Sequence, residues 1–144
     1  MKYLFTLIPP QSSYGGGAFF VKNMSEELVK NGHTIVTTLD DDLDIIVIID
    51  PRKDNHNIYS YGEIALYKKS HPSVRVIHRI NENDLKRLNQ IGIEPMILET
   101  MKIADHIIFV SNWLYSHYQS RYNIDKNIRA TKSVIHSGVD TLTY

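Results

Sequence analysis

The 144-residue chain contains no cysteine, which excludes disulfides, thiolate zinc sites and cysteine nucleophiles. It has no excess of either charge. Sixteen basic residues face 16 acidic ones, so composition gives no general attraction to nucleic acid or to an anionic membrane surface. Long apolar runs are missing as well. The first, Tyr3 to Ile8, is much shorter than a membrane span, is broken by Pro9 and Pro10, and precedes no small-residue cleavage site. It reads as a buried strand, with no transmembrane segment or signal peptide expected. His71, His106 and His117 do not approach metal-ligand spacing, and no carboxylate pair resembles a di-metal site, so no metal is expected. A single cytoplasmic domain over residues 1–144 is the expectation. Its length allows roughly two-thirds of the unfolded chain's surface to be buried.

Glycine is sparse too, seven in all, yet three of them are consecutive. Gly15, Gly16 and Gly17 follow the first apolar strand and open a helical pattern from Ala18 to Asn31. A strand that turns through side-chain-free residues into a helix start leaves backbone N–H groups unpaired, with the positive end of the helix dipole behind them. That corner suits a phosphate or another oxygen-rich ligand. A merely flexible turn is the other reading of three glycines.

Gly32 stands where a helix C-cap belongs, and His33 to Leu39 carries the β-branched density of a second strand. After a solvated acidic turn at Asp40, Asp41, Asp42 and Asp44, a third strand is expected at Asp44 to Asp50, continuously apolar through Ile45–Ile49. Continuous apolarity means that both sheet faces are covered, the habit of parallel sheets flanked by helices. A helix at Tyr61 to Ser70, a strand at Val74 to Ile80, a short helix at Leu85 to Gln90 capped by Asp84, and an amphipathic helix at Glu94 to Ala104 follow, the last with Met96, Ile97, Met101 and Ile103 inward. A fifth strand at His106 to Val110, a helix at Asn112 to Tyr122 capped by Ser111, and a short sixth strand at Ser133 to His136 complete the series. Strands alternating with helices at this spacing predict a Rossmann-like, doubly wound parallel α/β sheet.

Ligands of such a sheet bind beyond the carboxyl ends of its strands. The loops there carry the glycine triplet, Asp50-Pro51-Arg52, the stretch His78 to Asp84, Ser111-Asn112-Trp113 and His136-Ser137-Gly138. Two roles are open for His78 and Arg79: a cation beside an imidazole that holds a diphosphate or a sugar hydroxyl, or a structural pairing of Arg79 with Glu82 or Asp84 while His78 bonds to backbone. Arg52 has the same two roles. Ser111 has no elbow glycines and reads as an N-cap rather than a nucleophile. Trp113 and Tyr115 read as core or groove wall, and His136 as a structural histidine.

The segments Gly15 to Val21, Asn31-Gly32-His33, His78 to Asp84, Ala104 to Ser111 and Val134 to Asp140, in that order over nearly the whole chain, resemble the amino-terminal half of a GT-B glycosyltransferase of the family 4 type. The resemblance implies two facing Rossmann-like domains, the acceptor mostly on the first and a UDP- or GDP-linked sugar mostly on the second. It implies metal-independent, retaining transfer to a glycan or other hydroxyl acceptor. It places Gly15, Gly16 and Gly17 near the donor phosphates and His78 near the transferred sugar as the candidate catalytic residue. Arg79 would then contact the sugar or diphosphate and Arg52 the acceptor. The family's Glu-rich donor-binding segment has no counterpart here, so a C-terminal donor domain, on a longer chain or a separate one, is expected as partner, and the chain alone is expected to be inactive.

Two other classes are open. A dinucleotide-binding domain would carry G-x-G-x-x-G and an acid after the second strand; Asp40 stands near that place, but Phe20 occupies the third glycine position. A non-catalytic domain that binds a glycan or a partner would instead expose apolar surface at the rim.

Overall fold

A computed structural model describes residues 1–10, 15–87 and 92–138. Tyr14, the end of the helix expected at Leu85 to Gln90, and Val139 and Asp140 of the carboxyl-terminal motif lie outside the described residues.

Six parallel strands form one sheet in the order β2-β1-β3-β4-β5-β6. They are β1 Lys2–Phe5, β2 Thr34–Val36, β3 Ile45–Ile48, β4 Arg75–Ile80, β5 His106–Phe109 and β6 Thr131–Val134. The helices are α1 Gly16–Lys30, α2 Tyr61–Ser70, α3 Ile93–Ile103, α4 Asn112–Tyr122 and a single turn, α5 Ile124–Asn127, with a 3₁₀ turn at Asp84–Arg87. The domain is thus α/β with a parallel sheet flanked by helices, of the generic Rossmann-like kind.

Strand order decides the layering. The chain lays β2 on one side of β1 and then β3 on the other, and because crossovers of parallel strands are right-handed, the two walks put their helices on opposite faces. Val21 of α1 packs with Phe5, Val47 and Ile49 on one face. Helices α2 to α5 cover the other face through Ile64, Ile97, Met101, Leu114, Tyr118 and Ile124, which join Leu4, Ile46, Ile48, Val76, Ile80, Ile107 and Phe109 in the main core. Among the described helices α1 stands alone on its face, packed over β1 to β4, and beside it Ile108 and Ile135 line an open trough.

Local chemistry explains the boundaries. At the end of α1, His33 N–H donates to Leu28 O and Gly32 N–H to Val29 O, both at 3.0 Å, and Gly32 has φ +79°. This is a Schellman stop, which needs the left-handed backbone that glycine adopts without strain. A capping box starts α2: Glu63 N–H donates to Ser60 Oγ, and Glu63 Oε2 accepts from Ser60 N–H. Leu114 N–H donates to Ser111 Oγ at 3.2 Å, so Ser111 caps α4. Asp84 Oδ1 accepts from Ile93 N–H at 2.9 Å and Glu94 N–H at 3.4 Å, the first turn of α3.

The sheet's last strand starts two residues before the expected Ser133, and α5 was not foreseen. Along α3, Ile97 and Met101 point inward as expected, but Met96 is exposed while Glu94 and Thr100 are buried.

Candidate functional site

The reversal of strand order at β1 and β3 opens a crevice at their carboxyl ends, the usual ligand position of an open α/β sheet. Thr6, fully buried just after β1, closes the crevice floor: its Oγ1 accepts from Ile49 N–H at 3.2 Å, and its carbonyl accepts from Ile58 N–H at 2.8 Å. Above it α1 begins at the glycine triplet. Gly15 is its N-cap with φ −73°, brings no capping side chain, and no acid lies in the first turn. Among the described residues, the positive end of a 15-residue helix is therefore left without a side-chain partner.

The triplet is not required by backbone conformation, since among the described glycines only Gly32 and Gly92 have positive φ. Nor do all three avoid a clash. A Cβ on Gly17 would stand 3.2 Å from Ile49 Cγ2, whereas a Cβ on Gly15 or Gly16 would meet nothing within 4 Å. Packing thus accounts for Gly17 and leaves open room at the other two.

Period-2 alternation separates His78 from Arg79, which sequence proximity had suggested as one pair. Arg79 emerges on the α1 face. It lines a trough of about 540 Å³ together with Gly16, Phe20, Ile108 and Ser137. Its guanidinium carbon sits 4.3 Å from the Phe20 ring centroid, and one NH₂ donates to Ser137 Oγ at 3.2 Å. The residue is only 5 % exposed, yet its other terminal nitrogen is buried with no hydrogen-bond partner among the described residues. Neither Glu82 nor Asp84 pairs with it. Burial pulls its pKa below the ordinary arginine value.

His78 faces the opposite layer, in a cleft of about 10 Å³ among Asp50, Pro51, Asn81, Glu82, Ile93 and Ile97. It is 1 % exposed and its Nδ1 has no partner. Burial pushes its pKa down to about 3, against the opposing pull of the Asp50 charge. The imidazole is therefore neutral at physiological pH, in a space with room for about one water. It can position or exchange one hydrogen bond there, but it cannot act as a cation.

Arg52 is engaged. Its Nε donates to Asp50 Oδ1 at 2.9 Å and an NH₂ to Asp50 Oδ2 at 2.5 Å, with Glu82 at 3.4 Å. This planar fork fixes the loop after β3. Asp40, the acid that a dinucleotide site would use, accepts from Thr38 Oγ1 at 2.6 Å and lies 3.7 Å from Lys2 Nζ. Lys2 begins β1, at the amino ends of the strands and away from the glycines.

The structure therefore brings Gly16 and Arg79 to one trough, keeps Gly17 at its back against Ile49 and Asn81, and sets His78 and Arg52 apart from it. Phe20 and Ser137 had no individual role in the sequence reading, although Ser137 stands in one of the expected rim loops; their contacts with Arg79 in the trough make them site residues. Asp105, part of the fourth matching segment, is structural: its carboxylate accepts from Lys68 Nζ at 2.6 Å and Val76 N–H at 2.8 Å. Among the described residues no group of three or more His, Cys, Asp or Glu could hold a metal ion, and no helix is long and apolar enough to cross a membrane.

No protein-family model matches the chain, and no curated protein matches it significantly.

Proposed function

We propose that this domain is the acceptor-side wall of a two-domain glycosyltransferase, where it holds an anionic phosphate of a substrate and requires a donor-binding domain for turnover. One observation carries the reading: Arg79, buried and without a countercharge among the described residues, opens on the same trough as the start of α1, whose N-cap Gly15 has no capping side chain. A buried guanidinium lacking its anion is costly to keep, and its natural complement is a phosphate, which takes both the charge and the free N–H. Transfer from a nucleotide sugar needs such charge to steady the departing diphosphate, supplied jointly by the two walls of a cleft. In this proposal Gly15 and Gly16 let the ligand approach the first-turn amides, Arg79 and Ser137 grip an oxygen, and His78 orients a group only after the cleft above it opens.

The test is calorimetric titration with inorganic phosphate, UDP, GDP and NADH, followed by a transfer assay after adding a donor-binding domain. Phosphate binding that is lost in Arg79→Met, together with restored transfer from a UDP- or GDP-linked sugar, is the expected outcome. Tighter binding of NADH than of any other anion, or no phosphate binding at millimolar concentration, would overturn it. The dinucleotide reading has less support, because Phe20 fills the third glycine position and Asp40 is held by Lys2.

A further inference from the structure

The trough extends well beyond the anion-binding end. From Gly16 to Glu27 it follows α1 for about 16 Å, given a rise of 1.5 Å per residue. It is also lined by Ile108 of β5 and by Ile135 after β6. Phe19 is 43 % exposed, Met24 39 % and Ile135 56 %. Three large, partly exposed apolar side chains thus line the same cavity as an arginine with one nitrogen unpartnered among the described residues.

This combination selects among anions. A free diphosphate would satisfy Arg79 and leave the apolar walls wet. A nucleotide would bring a base and ribose rich in donors and acceptors, and along α1 the trough offers only Asn23 and Glu27 to meet them. Glu27 is already engaged by Asn31 Nδ2 at 3.0 Å and by Lys30. A phosphate carried on a hydrocarbon chain meets both ends at once.

We propose that the trough binds an amphiphilic phosphomonoester of the prenyl phosphate class, its phosphate on Arg79, Ser137 and the first-turn amides of α1 and its chain along Phe19, Met24 and Ile135. This deepens the reading above and rests on its assignment of Arg79 as a phosphate holder. It names the lipid phosphate, rather than the nucleotide, as the anion this wall receives.

Calorimetry with geranyl phosphate below its micelle concentration, geraniol, inorganic phosphate and UDP tests the assignment. Each buried methylene adds about fourfold to affinity, so geranyl phosphate should bind at least about 100-fold more tightly than inorganic phosphate, with geraniol far weaker than its phosphate. Arg79→Met should remove the preference for phosphate over alcohol. Phe19→Gln, a neutral polar change at a position 43 % exposed, should weaken geranyl phosphate binding far more than inorganic phosphate binding. Equal affinities for geranyl phosphate and inorganic phosphate would overturn the lipid assignment, as would UDP binding while geranyl phosphate fails to bind. In those cases the phosphate reading stands alone; if no anion binds, both fall. Sedimentation closes the last route: a dimer dispersed by Phe19→Gln, with no lipid phosphate bound, would show that a second copy fills the trough and would refute the proposal.

Discussion

Replacing Arg79 by methionine should make the protein more stable and less able to bind its ligand. Arg79 is 5 % exposed and one terminal nitrogen has no acceptor among the described residues. Keeping an ion there costs several kcal/mol, about 5 as a working figure. Two contacts offset it: the 3.2 Å hydrogen bond to Ser137, about 1.5 kcal/mol, and the Phe20 ring 4.3 Å away, about 1.5 kcal/mol. Methionine keeps an apolar stem in the same space, so the variant should gain about 2 kcal/mol. For a chain of this length that is a rise of about 6 °C in Tm in anion-free buffer. Phosphate should narrow the gap to less than 1 kcal/mol, roughly the difference between 2 and 1.4. At ten times its dissociation constant a ligand stabilises the native state by about 1.4 kcal/mol, and only the wild type has the site. Differential scanning calorimetry of both proteins with and without phosphate reads all four values. If Arg79→Met melts lower than wild type without phosphate, or if phosphate raises both melting points equally, then Arg79 is a structural residue and the reasoning fails.

Other consequences are smaller in scope. His78 has a folded pKa of about 3, far below its unfolded value near 6.5, so the unfolded state binds the extra proton between those limits. Its contribution is therefore fully present above pH 6.5 and is lost at about 1.4 kcal/mol per pH unit as pH falls toward 3; urea melts of His78→Leu should show a shallower acid limb, and an unchanged limb would disprove the buried neutral imidazole. Glu94 is nearly inaccessible and accepts from His117 Nε2 at 2.7 Å, from Tyr122 OH and from Asp84 N–H. Burial opposes its ionisation, but the Tyr122 and His117 hydrogen bonds outweigh that and hold its carboxyl below the usual range. Glu94→Ala should cost about 3 kcal/mol, with a coupling to His117→Ala above 1 kcal/mol in a double-mutant cycle, and additivity would show that the pair is not linked. Gly16→Ala meets no atom within 4 Å and should raise stability by about 0.5 kcal/mol while weakening phosphate binding by calorimetry; undiminished binding would separate the triplet from the site.

The parts of the fold that were legible in sequence share a physical cause: their signals are local. The bounds of α2 and α4 follow from Ser60 and Ser111, which cap within three residues. The continuous apolarity of Ile45 to Ile49 foretold a strand covered on both faces, and β3 lies between β1 and β4. By contrast β6 is an edge strand reading Thr131, Lys132, Ser133, Val134. With one neighbour and one open face it needs little apolar character, so its start was misplaced. Glu94 looked like an ordinary first-turn acid; its burial depends on His117 and Tyr122, more than twenty residues later.

The same division holds at the site. Sequence supplied the helix start at the glycines and the His78-Arg79 pair at the end of β4. It could have supplied one thing more, that adjacent strand residues such as His78 and Arg79 face opposite layers. What no pattern contains is the company each charge keeps. Arg52 and Arg79 look alike on paper, one just after a strand and the other at a strand's end; Asp50 and Glu82 close around the first, while Phe20 and Ser137 leave the second half-satisfied. Secondary structure and strand alternation are set by neighbours along the chain, so the sequence by itself determined them. Whether a buried charge has a partner depends on residues as many as 59 positions away brought together by the order of strands, and that only the tertiary structure decided.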